Sequence, residues 1–300
     1  MPSSTQLIRI TRHSLAWHRP FFDHVRTVFP GADFEEWAQA GCWTNRYDVL
    51  ALVAGRRIVA TTARTRMVLS LGAVAHDGGF RTLREGVQLG AVGVRPEYRG
   101  EGLGRRLIGL ICQEAERANH PVFLFSNRDA RGFYTRLGFT GTECERPILD
   151  LSVRPSARAS RQLDPRNAED RRMIADAVAS TSSHRGGLAA RTDLSILLWY
   201  LFNAPVRALE LAKGRSIAFV EEEPDGTCAI REWLGERPKD IVPLLPQLIP
   251  RPTTRFAFGF IPPAGWSSRL SLVRDAETHL FLRGLPEPSR PLCFPELLRT

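Results

Sequence analysis

The chain has 300 residues, 43 % of them hydrophobic, and a formal charge of +9 carried almost wholly by arginine, since Lys213 and Lys239 are its only lysines. That length suits two domains with ordinary cores, and scattered arginines without interleaved aromatics argue against a nucleic-acid binder. Five cysteines without paired metal spacing, no apolar signal core and no membrane-length apolar run predict a soluble, cytoplasmic protein with reduced thiols and no metal.

Leu7 to Ile10 alternates like a strand, and Trp17 to Phe29 reads as a helix stopped at Pro30-Gly31. A second short helix is expected over 33–40, and a hairpin from Tyr47 to Leu69 turns at Gly55-Arg56-Arg57. Leu71 to Gly86 is glycine-rich and polar and reads as a loop. Val87 to Val94 is the next strand, followed by Arg95-Pro96-Glu97-Tyr98-Arg99-Gly100-Glu101-Gly102-Leu103-Gly104-Arg105-Arg106 and a helix with Leu107, Ile108, Ile111 and Ala115 on its apolar side.

Glycines at alternate positions 100, 102 and 104 leave backbone N–H groups uncovered at a helix N-terminus, where the dipole favours an anion. Phosphate or pyrophosphate is the expected guest. The letters do not make a P-loop, because no Lys-Ser/Thr pair follows Gly104, nor a dinucleotide fingerprint, because the third glycine comes too early. They do make Arg-x-x-Gly-x-Gly, with Arg99, Gly102 and Gly104. After the strand Val122 to Phe125 comes Asn127-Arg128-Asp129-Ala130-Arg131-Gly132-Phe133-Tyr134-Thr135-Arg136-Leu137-Gly138-Phe139, a short helix capped by Asn127 and stopped at Gly138. Strands are expected near 139–142 and 147–153.

The 154–161 stretch is apolar-poor and reads as a linker. Helices are expected over 168–178 and 193–202, a hairpin around Pro224-Asp225-Gly226, a helix over 240–248, a strand over 254–260 and a short last strand at 280–282. His184-Arg185-Gly186-Gly187 reads as a loop.

The two motifs together resemble those of the GCN5-related N-acetyltransferase superfamily. The resemblance implies an α/β (α+β) fold, a mixed sheet flanked by helices. Residues 1–153 form the acetyltransferase domain, 154–164 a linker and 165–300 a smaller, degenerate copy, since Pro238-Lys239 stand where a second glycine turn belongs. It implies acetyl-CoA as donor, its pyrophosphate on Arg99, Gly100, Gly102, Leu103, Gly104 and Arg105, its pantetheine arm along Val92, Gly93 and Val94, and Asn127 beside it. Tyr134 matches the tyrosine that serves as acid toward the leaving thiolate. Gln88 stands on the acceptor side, where several members place a glutamate base, and Glu85 lies near it but outside the strand. In the mycobacterial enhanced-intracellular-survival acetyltransferases, tandem relatives with a further sterol-carrier-like domain that 300 residues cannot hold, the terminal carboxylate enters the site as base; the same role falls here to Thr300. Trp17, Phe21, Phe22, Trp37 and Trp43 read mostly as core, some of them as acceptor pocket, and Asp23, Asp33, Glu35 and Glu36 as a solvated helix face. The expected partner is a small-molecule or peptide amine, with a homo-oligomer left open. A non-catalytic acyl-CoA sensor is the alternative, encouraged by Gln88 in place of a glutamate.

Overall fold

The computed structural model describes residues 5–71, 82–157, 160–181, 188–211, 214–263, 265–266, 270–286 and 292–300. The first half runs β1 (Gln6–Ile10), α1 (Leu15–Val28), α2 (Glu35–Gln39), β2 (Tyr47–Ala54), β3 (Arg57–Leu71), β4 (Thr82–Val94), α3 (Leu103–Arg117), β5 (Val122–Ser126), α4 (Arg131–Thr135) and β6 (Thr140–Val153). The second runs β7 (Arg161–Leu163), α5 (Ala168–Ser180), β8 (Leu188–Ala190), α6 (Leu194–Asn203), β9 (Arg207–Leu211), β10 (Ser216–Glu222), β11 (Cys228–Gly235), β12 (Thr253–Phe258) and β13 (Ser271–Arg283). Helices α5 and α6 begin where Asn167 and Asp193 accept backbone N–H bonds from the first turn, the side-chain caps their sequences offer. The expected helix over 240–248 is instead a 3-10 turn, Val242–Gln247, because Pro243 and Pro246 remove the N–H groups an α-helix needs. Strands β8 and β9 have no counterpart in the sequence reading, and β4 begins at Thr82, inside the stretch read as a loop.

All strands join one sheet in the order β1-β2-β3-β4-β5-β13-β6-β12-β11-β10-β9-β7, with β8 on β3. The order β1-β2-β3-β4-β5 is repeated by β7-β9-β10-β11-β12, and in each set only the last pair is parallel. The second half is therefore a copy of the first in topology. The strands that follow each parallel pair are exchanged: β6 lies beside β12, and β13 lies between β5 and β6. β7 lies inside the 154–164 stretch read as a linker, and the sheet runs across it. β13 is a full 13-residue strand rather than the short one expected, because β6 pairs with Ser271–Asp275 and His279–Leu282 and β5 pairs with His279–Arg283 on the other edge.

In the second half the place of α3 is taken by the proline-bearing turn, and the end of the β11–β12 pair is filled by protein. Gly259 donates to the Ile230 carbonyl at 2.9 Å, and Phe260, Trp233 and Trp266 pack there fully buried. No Arg-x-x-Gly-x-Gly turn stands at that end among the described residues.

One core lies between the helices of the two halves, with Phe21, Phe34 and Trp37 from α1 and its neighbourhood against Leu197, Leu198 and Leu201 of α6. His24 of α1 is fully buried in that layer, with Nδ1 3.3 Å from the Ile58 carbonyl oxygen. Burial, helped by nearby Arg95, pushes its pKa down from 6.5 to about 4. Below pH 6.5 the unfolded chain takes up a proton that the folded chain refuses. Stability is thus expected to fall as pH drops from 6.5 to 4, by roughly 3 kcal/mol. Thermal unfolding of the wild type and of His24→Gln across that window measures it; the variant should lack this part of the slope.

Candidate active site

The site begins with a defect in strand pairing. β4 and β5 are parallel partners only at Val87–Val122 and Gln88–Phe123. Past Gln88, β4 carries a bulge between the pairs Thr61–Gly93 and Ala63–Gly90, and Ala91 within it takes φ +44, a left-handed conformation that costs a non-glycine residue about 1 kcal/mol or more. The Thr61 hydroxyl holds the bulge by donating to the Ala91 carbonyl at 2.9 Å. β4 bends away while β5 stays with β13. From Leu89 to Val94 the β5-facing edge of β4 therefore has no strand partner among the described residues, and apart from the Ala91 and Val94 carbonyls, which accept from Thr61 and Arg99, its backbone groups are open to an extended guest. Gly93 permits the other face: a Cβ there would meet Val28 at 2.6 Å and Phe29 at 2.9 Å, so α1 packs directly on the backbone.

The open edge leads to the glycine turn. Gly100 and Gly102 have φ +85 and +75, and an added Cβ on either would meet nothing within 4 Å, so their amides are uncovered. Gly102 is the N-cap of α3 and supplies no side chain to its first N–H groups, and Leu103 anchors that turn in the core. Gly104 lies 3.5 Å (measured from an added Cβ) from Val94, where strand and helix meet. Arg99 is exposed, with Nε 3.3 Å from the Val94 carbonyl, and Arg105 is exposed beside it. This is a cradle of backbone donors with cationic side chains at its rim, fitted to a diphosphate.

At the split lies a cavity of about 340 Å³, reached by residues from four directions. Gly90, Ala91 and Val92 come from β4, Leu124 to Ser126 from β5, Tyr134 from α4, and Trp199 with Asp193 from α6 and its cap. Thr300 forms part of the wall. Its carboxyl carbon is so close to Gly90 that a Cβ there would stand 2.9 Å away. Fully buried Gln88 fixes this tail: with the amide oriented to satisfy both ends, it donates to the Leu298 carbonyl at 2.8 Å and accepts from the Thr300 N–H at 2.7 Å. Tyr200 of α6 donates to the Arg299 carbonyl at 2.8 Å, and the Arg299 guanidinium lies 4.8 Å from the Phe125 ring centre.

A charge network under the tail completes the anchor. Glu296 is buried and ion-paired to Arg231, with Arg146 3.4 Å away. Burial pushes its carboxyl up, but Arg231, Arg299 and Arg146 outweigh that and hold it below the usual carboxylate range. Arg231 also pairs with Glu221 at 2.9 Å and Glu223 at 3.0 Å. A second hollow of about 560 Å³ opens over these groups, but its charges are largely engaged with one another.

Tyr134 is 6 % exposed, its ring held among Phe133, Phe139 and Phe281 and its hydroxyl bonded to the side chain of Ser126. Burial pushes its pKa up to about 12, and the Ser126 bond offsets only part of that.

The structure thus brings Tyr134, Val92 and Thr300 to one cavity, with Gly93, Val94 and the glycine turn along one edge from it. Asn127 is exposed at the end of β5, and its Oδ1 accepts from the Ala130 N–H at 3.2 Å, the capping role read from the sequence. Gln88 is a correction: expected on the acceptor side, it is buried beneath the tail and its amide is engaged. Glu85 is exposed, 3.4 Å from the His120 ring nitrogen, and is not part of the wall. Of the five early aromatics, Trp37 reaches the cavity and the others do not. Ser126, Gly90, Asp193 and Trp199 were missed. A glycine inside a strand is a signal for close backbone approach; Asp193 and Trp199 carried none, since they arrive from the other half of the chain. His184-Arg185-Gly186-Gly187 lies outside the described residues. All five cysteines are buried free thiols, the described residues hold no His/Cys/Asp/Glu group suited to a metal, and no described helix is long and apolar enough to cross a membrane.

Comparison with known proteins places this geometry in a class. Residues 57–141, from β3 to the start of β6, match the family model described as acetyltransferase (GNAT) domain. The matched stretch holds the glycine turn and Tyr134. Among solved structures it is similar to a GCN5-related N-acetyltransferase from Anabaena variabilis ATCC 29413 (15 % identity, TM-score 0.51), covering 92 % of this chain and 72 % of that one. It is also similar to one from Kribbella flavida (18 %, TM-score 0.50, 93 % and 71 %) and to Eis1 from Mycobacterium abscessus (14 %, TM-score 0.51, 92 % and 73 %). At these identities the likeness is one of fold.

Because the tail rests on the bare α-carbon of Gly90, Gly90→Ala is expected to push Thr300 out of the wall. Acetyl-transfer turnover should fall at least about tenfold, as misplacement by 1 Å does in positioned reactions, while acetyl-CoA affinity by calorimetry stays within about twofold.

Proposed function

We propose that the chain is an acetyl-CoA-dependent N-acetyltransferase that passes the acetyl group directly to a primary amine, with the first half active and the second half serving as scaffold. The observation that carries this reading is the convergence of Tyr134 and Thr300 on the cavity at the β4–β5 split. In this reading the glycine turn from Arg99 to Arg105 binds the diphosphate, and the free edge of β4 from Val92 to Val94 pairs with the pantetheine amides. An N–H of that edge polarises the thioester carbonyl.

The amine attacks the carbonyl carbon, forming the C–N bond as the C–S bond breaks. The Thr300 carboxylate draws the ammonium in; one proton leaves to solvent before the neutral amine attacks, and the carboxylate receives the second as the C–N bond forms. This role requires the chain to end at Thr300, which the intact mass of the natural protein checks. Tyr134 faces the departing sulfur. Full transfer from a phenol near pKa 12 to a thiolate of about 8.5 is uphill by roughly 5 kcal/mol. Tyr134 therefore stabilises the thiolate chiefly as a hydrogen-bond donor, and the proton follows from solvent. Gln88 positions the tail and takes no proton.

Tyr134→Phe is expected to lower turnover about 10–100-fold with acetyl-CoA binding nearly intact; thiol release followed with a chromogenic disulfide measures the first and calorimetry the second. Since the phenol stays protonated below about pH 12, turnover should rise as the amine loses its proton and show no falling limb from Tyr134 up to roughly pH 11. Extending the chain by one glycine after Thr300, or deleting Arg299 and Thr300, should cost about 100-fold or more in turnover. An unchanged rate in both would remove the carboxylate from the mechanism, and binding of acetyl-CoA without thiol release from any amine would leave a sensor.

A further inference from the structure

The cavity has an acceptor side, and its chemistry is specific. Its wall beyond Tyr134 and Thr300 is built of Phe34, Trp37, Tyr47 and Trp199, rings 5.7–5.8 Å apart by centroid around Phe34. Among the described lining residues the one side-chain carboxylate is Asp193, and it is engaged. Its Oδ1 accepts from the Ser195 and Ile196 N–H groups at 2.9 and 3.4 Å, and its Oδ2 lies 3.5 Å from Arg46. The acidic residues of the neighbouring helix do not help. Asp33 and Glu35 pair with Arg26, and Glu36 with Arg166. Two arginines, Arg46 and Arg299, stand in the wall instead. Such a cavity repels a second positive charge on its guest.

Three polar atoms of the same wall have no partner. The Tyr47 hydroxyl, the Thr65 hydroxyl and the Trp199 indole N–H are buried and make no hydrogen bond, in a residue 8 % exposed for Tyr47 and 3 % for Thr65. An unpaired buried donor or acceptor costs about 1–3 kcal/mol, so orphans gathered on one cavity wall point to a group that arrives from outside. Their placement is ordered by the sheet. Tyr47, Thr65 and Gln88 are direct cross-strand partners on β2, β3 and β4, so their side chains share one face. With strands about 4.8 Å apart, Thr65 lies one spacing and Tyr47 two spacings from Gln88, the residue that ties down Thr300. Trp199 only donates, so the guest group there must accept.

We infer that the acceptor is a monocationic primary amine with an apolar, aromatic-sized body that carries a hydrogen-bonding oxygen, a carbonyl or hydroxyl, read by Thr65, Tyr47 and Trp199, and that polycations are poor substrates. This rests on the acetyl-transfer reading of the cavity and names the substrate class for it.

The test is a kcat/KM comparison of tyramine and phenylalaninamide with phenethylamine, spermidine and kanamycin, on the wild type, Thr65→Val and Tyr47→Phe, alongside thermal shifts with each amine in the presence of CoA. The oxygen-bearing monoamines are expected to exceed both polycations at least about tenfold. Each hydroxyl deletion should lower kcat/KM for them about 3–10-fold and leave phenethylamine within about twofold, as expected for one hydrogen bond. Because each deletion removes an unsatisfied polar atom, the free variants should melt no lower than wild type, which separates a recognition role from a structural one. Polycations turned over as well as monoamines, or deletions that weaken all amines alike, overturn the inference and leave acetyl transfer standing. If acetyl-CoA binds and no amine releases thiol, the reaction is wrong; a thermal shift from tyramine but not from spermidine then still supports the specificity of the cavity, and the reverse order overturns it.

Discussion

The site depends on two parallel strands being forced apart. A strand edge inside a protein is costly unless its N–H and C=O groups find partners. The bulge at Ala91 moves β4 off β5 after two matched residue pairs, and nothing in the described chain replaces the lost partner. The resulting strip of free backbone is continuous with the free amides of Gly100 and Gly102, so an extended arm ending in a diphosphate satisfies both at once. Left-handed backbone at an alanine, close packing of α1 on Gly93, and the uncapped start of α3 all serve that one opening.

The second half shows what happens when the opening is not kept. It repeats the strand order of the first, but β11 and β12 are closed over by Gly259, Phe260 and two tryptophans. This copy supplies β13 for the first half's sheet, α6 for the cavity wall, and Arg231 as the anchor of the tail. Breaking a buried ion pair such as Glu296–Arg231 typically costs about 3–5 kcal/mol, which is enough to hold a terminal segment in one place. Gln88 fits the same arrangement. An amide can donate to the Leu298 carbonyl and accept from the Thr300 N–H together, whereas an ionised carboxylate at that position would face the Leu298 carbonyl with no proton to offer.

Much of the first half was legible because its signals are local. Alternation marked β2, β3 and β4, glycines marked the turn before α3, and Asn127 and Gly138 marked the Tyr134 helix. The misreadings came where a neighbour distant in sequence decides the outcome. Thr82 to Gly86 looked like loop and became strand by pairing with Met67 to Leu71 of the long β3. Residues 271–279 carried no strand expectation and became strand by pairing with β6. Tyr47 and Thr65 were ordinary strand residues until the register set them on one face beside the tail.

The sequence by itself determined the glycine turn and the Tyr134 helix: the spacing of Arg99, Gly102 and Gly104 and the run around Tyr134 are short-range patterns whose backbone consequences need no partner. Only the tertiary structure decided what surrounds the cavity. Asp193, Trp199 and Thr300 reach the cavity from the far half of the chain, through strand exchange and a buried charge network. Contacts of that range leave no periodicity to read, because they are set by which surfaces meet after the sheet has formed.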